Sequence, residues 1–124
     1  MSELVFLPGY LERLDAGGDI LPLLDDQFGF SLLWAAEDGA HEFAGGLEEF
    51  RGYLAQRDPG GQLHHLSHGL RQGNIELATG WTTRYGRPLG TFVFAVELTD
   101  GGRMRRLYAA RTEAFGGAPF QASP

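Results

Sequence analysis

Four strand-like segments joined by short turns fill the second half of the chain, and they constrain its fold more than any other feature. The separators between them, such as Gln72-Gly73-Asn74, have turn chemistry. Separators this short join antiparallel neighbours, because a parallel pair needs a longer crossover. An antiparallel meander is therefore predicted. Its four strands are Leu63 to Arg71, Ile75 to Tyr85, Thr91 to Thr99 and Met104 to Glu113.

The first half of the chain is patterned mainly as helices. From Pro8 to Ala16 the large apolar residues recur at helical spacing, and the glycine pair that follows is a typical helix end. A second short helix is predicted from Asp19, a good N-cap residue, to Leu24, and a third from Leu47 to Arg57. Between them, alternating apolar residues predict a strand or a bent pair of strands from Gln27 to Glu37.

Helices followed by a meander indicate an α+β domain with a strongly curved antiparallel sheet and three helices packed on its concave face. A length of 124 residues is typical of one domain. We assign residues 1–115 to that domain and residues 116–124, rich in Gly, Pro and Ala, to a poorly ordered tail. Several strands are apolar on both faces, so the outer face of the sheet is predicted to be covered in a homodimer.

Composition narrows the classes of function. The chain has no cysteine, which excludes disulfides, thiol nucleophiles and Cys-ligated metals. Its net charge is −6 and all basic residues are arginine, so nucleic-acid binding, which depends on neutralising phosphates, is not expected. No apolar stretch is long enough to span a bilayer. We therefore expect a cytoplasmic protein that binds neither membrane nor nucleic acid.

The order and spacing of five segments carry a resemblance to a known family. They are YLERLDAGGD, ILPLLDDQFGF, GGLEEFRGYL, QLHHLSHGLRQGNIELATG and DGGRMRR, which opens the last strand, and the resemblance covers roughly residues 10–112. Together they resemble the SnoaL-like (polyketide cyclase-like) branch of the NTF2-like superfamily. The resemblance implies a cone-shaped barrel, a deep pocket and commonly a homodimer through the outer face of the sheet. Members include isomerases, cyclases and dehydratases, and also proteins without catalytic activity.

The chain departs from the catalytic members at one place. SnoaL-type cyclases carry an acid/base aspartate on the last long strand, whereas Met104 to Thr112 contains no carboxylate here. The resemblance therefore does not transfer that mechanism to this chain.

His64, His68 and Glu97 are the candidate catalytic residues. On a regular strand His64 and His68 face the same side about 13 Å apart, too far to share one metal ion, and His65 faces the other side. We expect no metal site and no cofactor. Imidazole titrates near neutral pH, so His64 or His68 could act as a general base, although a structural role is also open.

Glu97 closes a nearly all-apolar strand, on the face of Val93 and Ala95. If it faces a pocket it could act as a general acid or base. A pair with an arginine on a neighbouring strand, such as Arg106, is the favoured alternative for Glu97 and equally for Glu76.

Aromatic residues would form the walls of a pocket for a small, largely apolar organic molecule. We therefore predict a pocket protein that could be a cofactor-independent isomerase, cyclase or dehydratase. A non-catalytic ligand binder and a dimeric scaffold are the alternatives. The candidate ligand-binding residues are Phe30, Trp34, Trp81, Phe94 and Tyr108.

Overall fold

The computed structural model describes residues 3–36, 38–57 and 61–112. Within them, two α-helices, one 3₁₀ turn and six strands follow one another along the chain. No helix in the described part is long and apolar enough to cross a membrane. The elements are α1 (Leu7–Asp15), the 3₁₀ turn (Leu21–Leu23), β1 (Leu24–Ala36), β2 (Gly39–Gly45), α2 (Leu47–Gln56), β3 (Gln62–Gln72), β4 (Ile75–Arg84), β5 (Arg87–Leu98) and β6 (Met104–Thr112).

All six strands belong to one sheet with the order β2-β1-β6-β5-β4-β3. The meander predicted from the turn sequences is confirmed, since β3, β4, β5 and β6 pair with their neighbours antiparallel. The prediction of a wholly antiparallel sheet is wrong, because β1 lies parallel to β6. The paired residues are about 80 positions apart in the chain, so no local turn sequence indicates this pairing.

Two further differences concern the first half. The predicted helix from Asp19 is only a three-residue 3₁₀ turn, because Leu24 is already extended and pairs with Met104 of β6. The strand β2 was not predicted; it forms a hairpin with β1 through the turn at Asp38 and Gly39. The predicted tail, residues 116–124, and Glu113 lie outside the described residues.

Both helices contact one face of the sheet, which we call the inner face. Helix α1 packs on β3, and α2 packs on β1 and β2. Phe50 of α2 is fully buried, with its ring 4.9 Å from the rings of both Phe28 and Phe30 in β1. Aromatic burial of this kind supplies most of the apolar stabilisation in a small core.

A β-bulge at Ser67 divides β3 into two parts with opposite side-chain orientation. Before the bulge His64 pairs with Thr82, an inner-face residue, whereas after it His68 pairs with Thr79 on the outer face. The expectation that His64 and His68 share a face is therefore wrong, because the extra residue inverts the alternation. Gly80 lies opposite the bulge, where a Cβ atom would collide with the carbonyl oxygen of His65.

Glu76 of β4 ties the N-terminal end of α1 to the sheet. Its carboxylate is fully buried and accepts hydrogen bonds from the backbone N–H groups of Val5, Phe6 and Leu7 at 2.8–2.9 Å. Arg71 donates a further bond of 2.9 Å to Oε2. First-turn N–H groups have no partner within a helix, so the distant carboxylate replaces a local cap.

Candidate functional site

A cavity of about 250 Å³ lies on the inner face of the sheet beside the end of α2. Aromatic and aliphatic side chains from β1, β5 and β6 form its apolar walls, and α2, β3 and β4 contribute polar groups. The apolar lining includes Leu32, Trp34, Phe92, Phe94 and Ala109. A concave, mostly apolar surface with a few polar groups is the usual form of a small-molecule site.

His64 projects from β3 into the wall of this cavity and forms a hydrogen-bonded pair with Asp15. Nδ1 of its ring lies 2.7 Å from Asp15 Oδ1, and its backbone N–H donates to Oδ2, also at 2.7 Å. Both side chains are almost buried, with 5% of His64 and 9% of Asp15 exposed. The imidazole packs between apolar rings, 5.3 Å from Phe92 and 5.8 Å from Phe94.

This arrangement decides which nitrogen of His64 is available for chemistry. An ionised carboxylate can only accept hydrogen bonds, so Asp15 favours the form of His64 that carries its proton on Nδ1. Nε2 then has a free lone pair and no hydrogen-bond partner among the described residues. An imidazole oriented in this way is suited to remove a proton, because the carboxylate stabilises the cation that forms.

Tyr53 and Arg57 form a second polar group at the cavity. Nη1 of Arg57 donates a 2.9 Å hydrogen bond to the Tyr53 hydroxyl, and Nη2 lies 3.8 Å from Asp15 Oδ1. Because the hydroxyl accepts from Arg57, its own proton remains available for an acceptor on a ligand. Tyr10 lies beside this group. Its burial raises the pKa of its phenol, and the nearby Tyr53 raises that pKa further, so the phenol stays neutral.

The other histidines of β3 lie on the outer face. His65 stacks on Trp81, with ring centroids 5.0 Å apart, and bonds to the Thr83 hydroxyl at 2.9 Å. His68 is exposed, and its Nδ1 lies 3.2 Å from Ser67 Oγ. Among the described residues no three histidine or carboxylate side chains group into a metal site.

Glu97 shares a face with Val93 and Ala95, as strand alternation predicted; this is the outer face, so Glu97 does not line the cavity. It pairs with Arg105 at 2.8 Å rather than with Arg106. A register irregularity beside Glu97 brings Arg105 within reach, and Arg106 instead donates to the carbonyl oxygen of Gln27.

The candidate ligand-binding residues divide into three groups. Trp34 and Phe94 line the cavity, whereas Phe30 is buried in the core against Phe50. The expectation that Trp81 and Tyr108 line it is wrong, because both side chains lie on the outer face, Tyr108 with 58% of its surface exposed. Each is one residue away from an inward-facing neighbour, so aromatic character alone could not identify them.

The last strand places no carboxylate at the cavity. The inner-face positions of β6 are Leu107, Ala109 and Arg111, which pair across the sheet with inner-face residues of β5. In the described part of β6, no carboxylate therefore lies at the cavity wall, as the sequence of this strand requires.

Asp15 is a candidate site residue that no motif in the sequence indicates. It is 49 positions from His64, and no motif joins the two. One signal was present: Asp15 is the last residue of α1, where the helix dipole disfavours a negative charge. An acid in that position needs a compensating partner, and His64 and Arg57 provide it.

Comparisons with known proteins identify the fold. No family model and no curated sequence matches the chain. Solved structures match the chain over most of its length. A candidate ketosteroid isomerase from Kribbella flavida has a TM-score of 0.65 at 14% sequence identity, and the match covers 96% of this chain and 80% of the isomerase chain. An NTF2-like protein of unknown function from Burkholderia xenovorans has a TM-score of 0.64 at 16% identity, covering 94% and 84%. A candidate polyketide cyclase from Sinorhizobium meliloti has a TM-score of 0.58 at 14% identity, covering 84% and 92%.

At these identities the likeness establishes architecture and not activity. The chain therefore has the NTF2-like fold that its sequence motifs predicted.

Proposed function

We propose that the protein binds a small, largely apolar organic molecule in this cavity and uses His64 as a general base on it. The observation that carries the proposal is the 2.7 Å bond between Nδ1 of His64 and Asp15, buried at the cavity wall. Isomerisation, cyclisation and dehydration all need such a proton transfer, and none of them requires a cofactor.

The geometry supports a simple sequence of events. Nε2 of His64 removes a proton from a carbon next to a carbonyl group, and Asp15 stabilises the imidazolium that results. The Tyr53 hydroxyl donates to the carbonyl oxygen, where negative charge develops. His64 then returns the proton at another carbon. In apolar surroundings these electrostatic interactions are stronger than in water.

A panel of β,γ-unsaturated cyclic ketones tests the proposal, with the ultraviolet absorbance of the conjugated product as the readout. We expect His64→Gln to lower the turnover by about 10²- to 10⁴-fold, the usual contribution of a general base. His65→Gln and His68→Gln are matched controls, since both side chains lie on the outer face and should leave the rate unchanged. Equal turnover by wild type and His64→Gln would contradict the catalytic role.

A non-catalytic ligand binder is the alternative that the same cavity supports. It predicts that a ligand raises the melting temperature of wild type and of His64→Gln alike, with no product formed. We regard the cytoplasm as the place of action in either case, in keeping with an acidic chain without cysteine.

A second copy of the chain is the partner that we propose for the outer face of the sheet. Five large apolar side chains there are 41–58% exposed; they are Leu33, Leu63, Leu77, Val93 and Tyr108. Leu77 and Tyr108 both pair with Ala95, and Leu33 and Val93 both pair with Ala110. Sedimentation equilibrium should give a dimer for wild type and a monomer for Tyr108→Glu. Tyr85→Glu is the control, because Tyr85 is also an exposed tyrosine but lies at the turn after β4. A wild-type monomer would refute this part.

A further inference from the structure

Three arginines line the cavity that holds His64, and each comes from a different element. Arg57 follows α2, Arg84 ends β4, and Arg111 lies near the end of β6. None of the described residues that line the cavity is a carboxylate. The cavity is thus locally cationic although the chain as a whole has a net charge of −6.

Two of these guanidinium groups have no anionic partner within the described residues. Arg57 is balanced by Asp15, whereas Arg84 and Arg111 take part in no ion pair there. Arg111 is half-buried and is the cross-strand neighbour of Trp34 and of Phe92. Water solvates a guanidinium less completely in such surroundings, so an anion placed there gains more than it would on an open surface.

Gln62 adds an unsatisfied donor to the same wall. Its Nε2 is buried and has no hydrogen-bond partner among the described residues. Gln62 lines the cavity and is the cross-strand neighbour of Arg84. A buried N–H without an acceptor is unfavourable, and a small rotation of the amide towards the cavity would let a ligand oxygen correct it.

We infer that the ligand carries an oxyanion, a carboxylate or a phosphate, held by Arg84 and Arg111 with help from Gln62. The apolar part of the ligand then lies along Phe92, Phe94 and Leu32. Guanidinium groups match such oxyanions geometrically because their N–H donors form a planar fork. This inference rests on the proposed pocket function and adds the chemical class of its ligand.

Isothermal titration with 2-naphthoate, 2-naphthyl phosphate and 2-naphthamide tests the inference. The three probes share one apolar ring system, and only the amide is neutral. We expect an anionic probe to bind wild type at least about tenfold more tightly than the amide does, which corresponds to about 1.4 kcal/mol. The tighter of the two anions identifies which oxyanion the site prefers.

Variants then locate the effect. In Arg84→Gln and Arg111→Gln the preference for the anion should shrink several-fold each and vanish in the double variant. Arg103→Gln is the matched control: it removes the same charge, but Arg103 lies in the turn before β6, away from the cavity lining. Its preference should equal that of wild type.

The possible outcomes distinguish a failure of the oxyanion inference from a failure of the proposed pocket function. If the amide binds as tightly as the anions, the oxyanion site is wrong and the apolar pocket stands. If the anions are preferred equally in the double variant, the assignment to Arg84 and Arg111 is wrong. If no probe binds wild type, the pocket proposal fails and the oxyanion site fails with it.

Discussion

The two ends of helix α1 are held to the sheet by two buried carboxylates with different surroundings. At the N-terminal end Glu76 reaches from β4 and receives three backbone N–H groups together with Arg71. At the C-terminal end Asp15 belongs to the helix itself and receives the backbone and the ring of His64. Both tie α1 to the β3–β4 edge of the sheet, yet only one of them lies next to a cavity.

The difference lies in the partners. Those of Glu76 are mostly backbone groups in fixed positions, and Arg71 completes the set, so the arrangement has only a structural consequence. The ring of His64 has a second nitrogen, and His64 itself lines a cavity. Burial of an acid therefore does not by itself indicate catalysis; an available atom on its partner does.

Glu76→Gln should produce the largest change in stability. The amide offers one acceptor oxygen to three backbone donors and leaves Arg71 without its anionic partner, so we expect a loss of about 3 kcal/mol in the free energy of unfolding. Urea denaturation measures it. Turnover per folded molecule should not change, since Glu76 is not among the residues lining the cavity. A loss of turnover per folded molecule would show that Glu76, like Asp15, contributes to catalysis.

Asp15→Asn should show the opposite pattern. The amide still accepts one hydrogen bond from His64, so we expect a smaller loss of stability, about 1.5 kcal/mol. The amide no longer favours the form of His64 that carries its proton on Nδ1, so turnover should fall by at least about 10²-fold. Paired measurements of urea unfolding and of initial rate test this. Unchanged turnover would mean that the Asp15–His64 pair, like the contacts of Glu76, has only a structural role.

Acid should weaken the Glu76 end of the helix. Burial raises the pKa of Glu76, but the bonds from Leu7, Val5, Phe6 and Arg71 outweigh it and lower the pKa below its ordinary value. A group with a lowered folded-state pKa contributes its full stability above its unfolded pKa, about 4.3, and loses that contribution as the pH falls through the folded value.

The stability difference between wild type and Glu76→Gln should therefore narrow steadily as the pH falls below about 4. Urea unfolding at pH 7, 5, 4 and 3 measures it for both proteins. A difference that stays constant across this range would show that the carboxylate charge does not stabilise the fold.

Glu97→Gln should give the smallest change and serves as the reference for both carboxylates. Glu97 pairs with Arg105 at 2.8 Å, but both side chains remain partly open to water. Exposed pairs contribute little, so unfolding and turnover should both match wild type within error. A clear loss of turnover in this variant would restore Glu97 as a catalytic candidate.

The turn sequences explain why the meander could be predicted. Turns such as those at Gly73 and Gly86 need positive φ angles, which glycine adopts freely, and they lie where the sequence predicted them. Helices α1 and α2 were also predictable, because the spacing of their apolar residues is local information. The structural pairing of Glu76 and Glu97 with arginines was expected, although the particular arginines were not.

The site was predicted only in part. His64, Trp34 and Phe94 were chosen for their chemistry, and they do line the cavity. His68 was placed on the wrong face because a single bulged residue, Ser67, inverts the alternation that a regular strand would have. No rule of local spacing reports such an insertion, since it depends on how β3 pairs with β4.

By itself the sequence determined both α-helices, the four-stranded meander, the α+β class, the resemblance to NTF2-like proteins and the absence of cysteine chemistry. The elements and the class follow from periodicity and turn residues near one another in the chain, and the absence of cysteine follows from composition. The resemblance follows from the order and spacing of five segments. Only the tertiary structure decided that Asp15 meets His64, that β1 lies parallel to β6, and that three arginines share one cavity. Those contacts join residues far apart in the chain, and they exist only because the two helices and the sheet pack around a common core.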